Sequence, residues 1–309
     1  MKYVWLFIFL SAGLFASGQT KKVCFSFDDL PFVSYGAKDT TWQKEKFSSL
    51  VKTLSENKVP AIGFVNGQKL FTDGQPDNFQ IRLLKSWIGS GLQAGNHSYS
   101  HPDFNLVSYN EYTGDILKGE DILKGLCESY GSRLKYFRHP FLHVGQTKER
   151  ADSLDHFLKM HGYTTAPVTI DDEDYLFACA YNTALLKNDT ALMGRIGRDY
   201  IGYMKKKIEY FENQSEKLFG RNISQVLLIH ASALNSDYIS SLINLFRSEG
   251  YHFVSMDEAL GDNAYLTPVT VYGKWGISWL DKWALSQGKK GDFFRDDPES
   301  PDYIKSLCQ

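Results

Sequence analysis

Short apolar runs that alternate with longer amphipathic stretches constrain this chain more than any other feature. Val23–Phe27, Ala61–Val65, Leu92–Gly95, Thr164–Val168, Val226–Ile229 and Phe253–Ser255 read as buried strands, and Tyr136–Arg138 as the end of another. Between them lie helical patterns. Trp42–Asn57 carries Phe47, Leu50, Val51 and Leu54 at helical spacing, and Ile81–Ser90 is closed by Gly91. Tyr109–Leu126, Ser153–His161 and Tyr238–Glu249, closed by Gly250, follow the same logic. Arg195–Phe219 places Ile196, Tyr200, Tyr203, Ile208 and Phe211 on one side. Strands that alternate with helices imply an α/β fold with a parallel sheet, open or closed into a barrel. In such folds functional groups gather at the C-terminal ends of the strands.

The remaining organisation is consistent with one large domain. The chain has 309 residues, 43% of them hydrophobic and 23% charged, enough for a sizeable core. The stretch from Tyr175 to Asn222 is long for one crossover and is expected to cover one side of the site. Beyond Asp262 the pattern weakens, so residues 263–309 are expected to pack on a domain spanning 19–262 rather than to fold alone. A net charge of −2 gives no electrostatic footprint for nucleic acid. Met1-Lys2, the apolar Tyr3–Phe15 and the small residues Ala16-Ser17-Gly18 read as a signal peptide over 1–18. The apolar stretch is too short to remain as a comfortable membrane span. Export to a periplasm or the exterior is expected, with no stable membrane insertion afterwards. Cys24, Cys127, Cys179 and Cys308 match no metal-site spacing; export permits disulfides, but the sequence assigns no pairing. Cys24, inside a strand, reads as a packed thiol.

Several polar clusters follow the apolar runs. Asp28-Asp29 comes directly after Val23–Phe27. Adjacent carboxylates repel unless they share a proton or a cation, so one can bind metal while the other acts as a base. His97 and His101 stand at i and i+4, which on a helical turn would put both imidazoles on one face. Neutral imidazoles suit Zn²⁺, and a carboxylate completes a three-ligand set. In Arg138-His139-Pro140-Phe141 the guanidinium is suited to holding a carboxylate, and the Phe141 N–H to meeting an oxyanion. The acidic run from Asp171 to Asp174 follows a strand, so at least one of its members can face the site. His230 ends the very apolar Val226–Ile229, where a neighbouring Asp171 or Asp174 would raise its pKa and suit it to general acid catalysis. His139 and His143 read as structural or substrate-side groups.

Taken together, these clusters resemble the motifs of the polysaccharide deacetylases, the carbohydrate esterase family 4 enzymes with the NodB homology domain. All of that family's motifs are recognisable in order between Val23 and Ser232. The resemblance implies a distorted (β/α) barrel of the NodB type, short of the full set of regular units, with 19–262 as the catalytic domain. It implies Asp28 as catalytic base, and Asp29, His97 and His101 as ligands of a divalent metal, Zn²⁺ foremost with Co²⁺ or Ni²⁺ as alternatives. It implies that Arg138 orients the base, that the Phe141 amide helps form the oxyanion hole, and that His230 is the acid. Asp171, Asp174 and Tyr175 would line the pocket and support that acid. The implied activity is hydrolysis of N-acetyl groups on an N-acetylated polysaccharide or oligosaccharide, with release of acetate. Two other readings share the motif set: a hydrolase of O-acetyl esters or small non-sugar amides, and a non-catalytic carbohydrate-binding relative. Leu30, Phe141, Tyr175 and Ala231 depart from the residues usual in the family at those places.

Overall fold

The computed structural model describes residues 20–37 and 39–308, so the expected signal segment lies outside the described residues. In chain order the strands are β1 (Lys21–Val33), β2 (Ile62–Val65), a small hairpin of β3 (Phe71–Thr72) and β4 (Gln75–Pro76), β5 (Gln93–Asn96), β6 (Tyr136–Phe137), β7 (Thr164–Thr165), β8 (Gln225–Ser232) and β9 (Tyr251–Phe253). The helices are α1 (Thr40–Glu56), α2 (Asn78–Gly89), α3 (Tyr109–Ser129), α4 (Lys148–Met160), α5 (Asp174–Leu186), α6 (Thr190–Phe219), α7 (Ala233–Ser248), α8 (Met256–Ala259), α9 (Trp279–Ser286) and α10 (Asp302–Leu307).

The main sheet is parallel and runs in the order β7-β6-β5-β2-β1-β8. β9 pairs with the start of β1, on the edge that β2 takes further along. The sheet curls because its two ends meet. The chain leaves β7 through Ala166, whose N–H donates to the Phe137 carbonyl of β6, and within a few residues Ile170 bridges in parallel to Leu227 of β8. The result is the expected distorted barrel. The expected strand Thr164–Val168 is shorter for this reason: its later residues turn away from β6 to reach β8.

Side-chain alternation along the strands places the site. Val23, Phe25 and Phe27 of β1 face the helical layer, where they pack with Phe47, Leu50 and Leu54 of α1. Cys24 faces the barrel interior with Ile62, Phe64, Tyr136 and Val226. Two-residue periodicity then turns Ser26 and Asp28 inward as well, and on β8 it does the same for His230 after Val226 and Leu228. Asp28 and His230 are partners in the β1–β8 register. β1 continues through the paired aspartates to Val33 with an irregular register, so Asp28 and Asp29 lie within the strand and not after it.

Helix starts differ from the sequence reading where a capping side chain lies upstream of the apolar pattern. Asp77 accepts from the Phe79 and Gln80 N–H groups and starts α2 before Ile81; Thr147 accepts from Arg150 N–H and starts α4 before Ser153. The C-terminal residues share the main core through Leu280, Trp283 and Ile304. A disulfide joins Cys179 of α5 to Cys308, next to α10. Cys24 and Cys127 are buried free thiols.

A cross-link that spans 129 residues restricts the unfolded chain strongly. Cys308→Ser is therefore expected to lower the unfolding free energy by about 2–4 kcal/mol in urea titrations. An unchanged midpoint and slope would show that the bridge contributes nothing.

Candidate active site and metal centre

The C-terminal ends of β1 and β8 open into a cleft of about 800 Å³ lined by Asp28, Asp29, His97, His101, Phe141 and His230, among others. Asp29 adopts a left-handed backbone, φ 63°, which interrupts strand alternation, and the carboxylates of Asp28 and Asp29 lie 3.8 and 3.9 Å from the same His97 Nε2. The Lys69 ammonium donates to the Asp29 carbonyl at 2.7 Å and lies 3.7 Å from its carboxylate.

Asp29, His97 and His101 each offer one donor atom, and these atoms lie within 4.8 Å of one another. His101 Nε2 is 3.7 Å and His97 Nε2 3.9 Å from Asp29 Oδ1. That oxygen is buried and has no hydrogen-bond partner, a cost that a bound cation removes. The donor set fits a divalent metal. His97 Nδ1 donates to the Arg138 carbonyl at 2.8 Å, which leaves the Nε2 lone pair for the cation. The two histidines do not share a helical turn, contrary to the sequence expectation. Residues 97–101 form an irregular bend in which Ser98 and His101 have φ of 64° and 58°. Asn96 and Asp115 hold this bend by accepting from the Ser98, Tyr99 and Ser100 N–H groups.

Arg138 is wholly buried. Its Nη1 donates to both oxygens of Asp28, at 3.1 and 3.3 Å, and Nη2 donates to Ser26 Oγ at 3.0 Å. Nε donates to the Ala166 carbonyl, and the guanidinium lies over the Phe64 ring. On the other side of Asp28, the His230 imidazole Nδ1 lies 2.7 Å from Asp174 Oδ1. Asp174 Oδ2 also accepts from the His230 N–H and the Asn235 side-chain amide, so the carboxylate is saturated.

These environments separate the titrating groups. Burial pushes the Asp28 carboxyl above the usual carboxylate range, and Arg138 offsets this only in part. Burial acts upward on Asp29 too, but Lys69 and the two imidazoles outweigh it and hold that carboxyl well below the range. Burial lowers His97 and His101 to about 4, leaving both imidazoles neutral near pH 7. Burial also works against the His230 imidazolium, but the Asp174 carboxylate more than reverses this and raises it to about 9.

Phe141 is the middle residue of a turn, Pro140–Leu142, with φ 57°, and its ring lies 4.5 Å from that of His101. Its N–H precedes the carbonyls that the turn can reach, as at any helix start. Tyr175 lines the cleft and is half-exposed. Of the acidic run, Asp174 meets His230. Asp171 lines the cleft without touching that imidazole, and burial, against the pull of Lys207 and Lys282, raises it to about 6. His139 is buried with its Nδ1 unpartnered, and His143 lines the cleft paired with Asp103; neither joins the metal-ligand group. The sequence reading missed Ser26, Lys69 and Asn235. Ser26 was within reach, because it lies two residues before Asp28 on one strand face. Lys69 and Asn235 follow no motif.

The sequence profile of the family described as "Polysaccharide deacetylase" matches residues 16–164. The chain is similar to the peptidoglycan-N-acetylglucosamine deacetylase of Bacillus cereus, with 28% identity over 120 residues, and spans 36% of that enzyme's length and 39% of its own. It is similar to the chitin deacetylase of Colletotrichum lindemuthianum, with 26% identity over 218 residues that cover 69% of the chain and 73% of the enzyme. The solved structure of the chitin deacetylase from that fungus has the same fold, with a TM-score of 0.50 at 21% identity over 83% of this chain and 92% of that one.

The raised His230 pKa rests chiefly on the Asp174 carboxylate, with Asp29 and Asp28 acting in the same direction. In metal-free protein, nuclear magnetic resonance titration of His230 should give a midpoint near about 9. Asp174→Asn leaves only the weaker pull of Asp29 and Asp28 against burial and should lower the midpoint. A midpoint that stays in place would show that Asp174 does not hold the proton.

Proposed function

We propose that this chain, whose residues 16–164 match the polysaccharide deacetylase family model, removes acetyl groups from the amide nitrogens of an N-acetylated glycan. The observation that carries this reading is the convergence of Asp29, His97 and His101 on one point, with Asp28 beside them and a protonated His230 in register across the strands. The names of the relatives support the substrate class: one acts on peptidoglycan N-acetylglucosamine and another on chitin.

Asp29, His97 and His101 would hold the metal. One carboxylate and two neutral imidazoles form a donor set that suits Zn²⁺ first, with Co²⁺ and Ni²⁺ compatible. A divalent cation there supplies the positive charge that acidifies a water and polarises a carbonyl. The rest falls to the protein. Asp28, with its carboxyl raised by burial and its oxygens fixed by Arg138, takes the proton of the attacking water. The Phe141 N–H donates to the oxyanion that forms at the acetyl carbon. His230 donates its Nε2 proton to the departing amine nitrogen while Asp174 retains the Nδ1 hydrogen bond. The C–N bond breaks, and water has supplied the new carboxyl oxygen of acetate.

Export fits the same reading. The Cys179–Cys308 bridge belongs to an oxidising compartment, the relatives' named substrates are wall or extracellular glycans, and among the described residues no helix is long and apolar enough to cross a membrane.

Acetate release from N-acetylglucosamine oligomers and from peptidoglycan fragments tests the activity. Asp28→Asn should retain stoichiometric metal and lose a factor of about 10²–10⁴ in kcat. A parental rate in that variant would remove Asp28 from the role of base. Acetate released from O-acetylated sugars alone would assign the site to ester hydrolysis.

A further inference from the structure

The tail beyond Asp262 does more than cover the core: it reaches the turn that presents the Phe141 N–H. Phe141 and Leu142 have φ of 57° and 55°, a left-handed pair that contains no glycine. Such a backbone persists only where its surroundings hold it. The Leu142 and His143 N–H groups donate to the His139 and Pro140 carbonyls at 3.0 and 3.1 Å, so both are spent within the turn. The Phe141 N–H is not spent in this way.

Two contacts from the tail hold this turn. Lys282 of α9 is buried, and its Nζ donates to the Leu142 carbonyl at 3.0 Å. The same Nζ lies 3.8 Å from the centre of the Trp279 ring, one turn earlier on the helix. Trp279 packs against Leu142, Val168 and Leu228, and its N–H donates to the Val168 carbonyl at 2.7 Å. Leu280 and Trp283 tie the same helix into the main core, so Lys282 projects from a fixed support. Burial lowers the Lys282 amine to about 7, with Asp171 and Asp281 acting in the opposite direction. Charged or neutral, the amine keeps a proton for the carbonyl. Gly276 supplies the second contact. A Cβ there would stand 1.8 Å from the Phe141 carbonyl oxygen and 3.0 Å from its carbon, so only glycine lets the tail lie against this peptide unit. The two contacts meet consecutive carbonyls, those of Phe141 and Leu142.

We propose that the C-terminal tail completes the active site, with Lys282 as a positioning residue that fixes the Phe141 N–H for the oxyanion and Gly276 as the close packing that lets it do so. Lys282 touches no reacting atom and acts through the Leu142 carbonyl. Peptide planarity leaves only φ and ψ of Phe141 between its packed carbonyl and its N–H, so holding one restrains the other. A donor aimed in advance spends nothing on reorientation when charge develops. This inference rests on the deacetylase reading and deepens it, because it adds a residue of the tail to the machinery of the same site.

Hydrogen exchange followed by mass spectrometry, together with steady-state kinetics, tests this on the full, metal-loaded chain. Lys282→Met should speed exchange over residues 139–143. It should also lower kcat for acetate release from the N-acetylglucosamine tetramer about 10- to 100-fold, with KM within about twofold of the parent and zinc content unchanged. Gly276→Ala, which pushes on the neighbouring carbonyl, should act in the same direction and covers the case in which Lys282→Met misfolds. Exchange that stays parental in both variants overturns the proposal, whatever the chain's activity. Faster exchange with a parental kcat also overturns it, as does a kcat loss matched by loss of zinc. A parent chain that releases no acetate from N-acetylated glycans overturns the deacetylase reading, and the oxyanion role of Lys282 falls with it.

Discussion

The buried Arg138 guanidinium is the charge around which this barrel is organised. Removed from water, it would be prohibitively costly unless every donor were matched. Five acceptor atoms on two stretches of chain meet that demand: the two Asp28 oxygens, Ser26 Oγ, and the Ala166 and Pro167 carbonyls. Those stretches are the central strand and the segment that closes the sheet onto β8. The carbonyl of the same residue fixes the His97 ring through Nδ1. One side chain and its own backbone thus set the orientation of both the proposed base and a proposed metal ligand. A change at Arg138 would disturb closure of the sheet as well as the site.

Around that charge, similar groups are driven to different protonation states. Asp28 and Asp29 are neighbours in sequence, yet burial raises one while Lys69 and the imidazoles lower the other. His97 and His101 stay neutral because burial removes their protons, whereas His230 keeps its proton because Asp174 is saturated and close. A left-handed residue at Asp29 and a strand register that aligns Asp28 with His230 bring these groups into one cleft, where their separate neighbours set the protonation states. The arrangement has a basic carboxylate, neutral ligands and a proton donor side by side, which is what hydrolysis of an amide near neutral pH requires.

Much of this was legible in the sequence because it depends on local periodicity. The apolar runs from Val23 and Val226 identify the two strands that carry Asp28 and His230, and two-residue alternation sets their facing. Helix positions were legible from Phe47, Leu50 and Leu54, but helix starts were set by caps such as Asp77 and Thr147 that lie outside the apolar pattern. The bend at 97–101 was misread as helical because i, i+4 spacing does not distinguish a turn of helix from a loop held by Asn96 and Asp115. Groups that reach the site from distant segments were invisible: Lys69 from a short turn after β2, and the tail from Lys274 to Glu299, whose Gly and Pro content gives no periodic signal. Choosing between Asp171 and Asp174 as the partner of His230 required three-dimensional geometry.

The account depends on three side chains from two segments, β1 and the bend at 97–101, meeting at one divalent ion. Anomalous diffraction at the zinc edge from crystals grown with Zn²⁺ tests this directly. The account predicts one strong peak at bonding distance, about 2.0–2.2 Å, from Asp29, His97 Nε2 and His101 Nε2. A peak held by other side chains, or none within reach of these three, would contradict it.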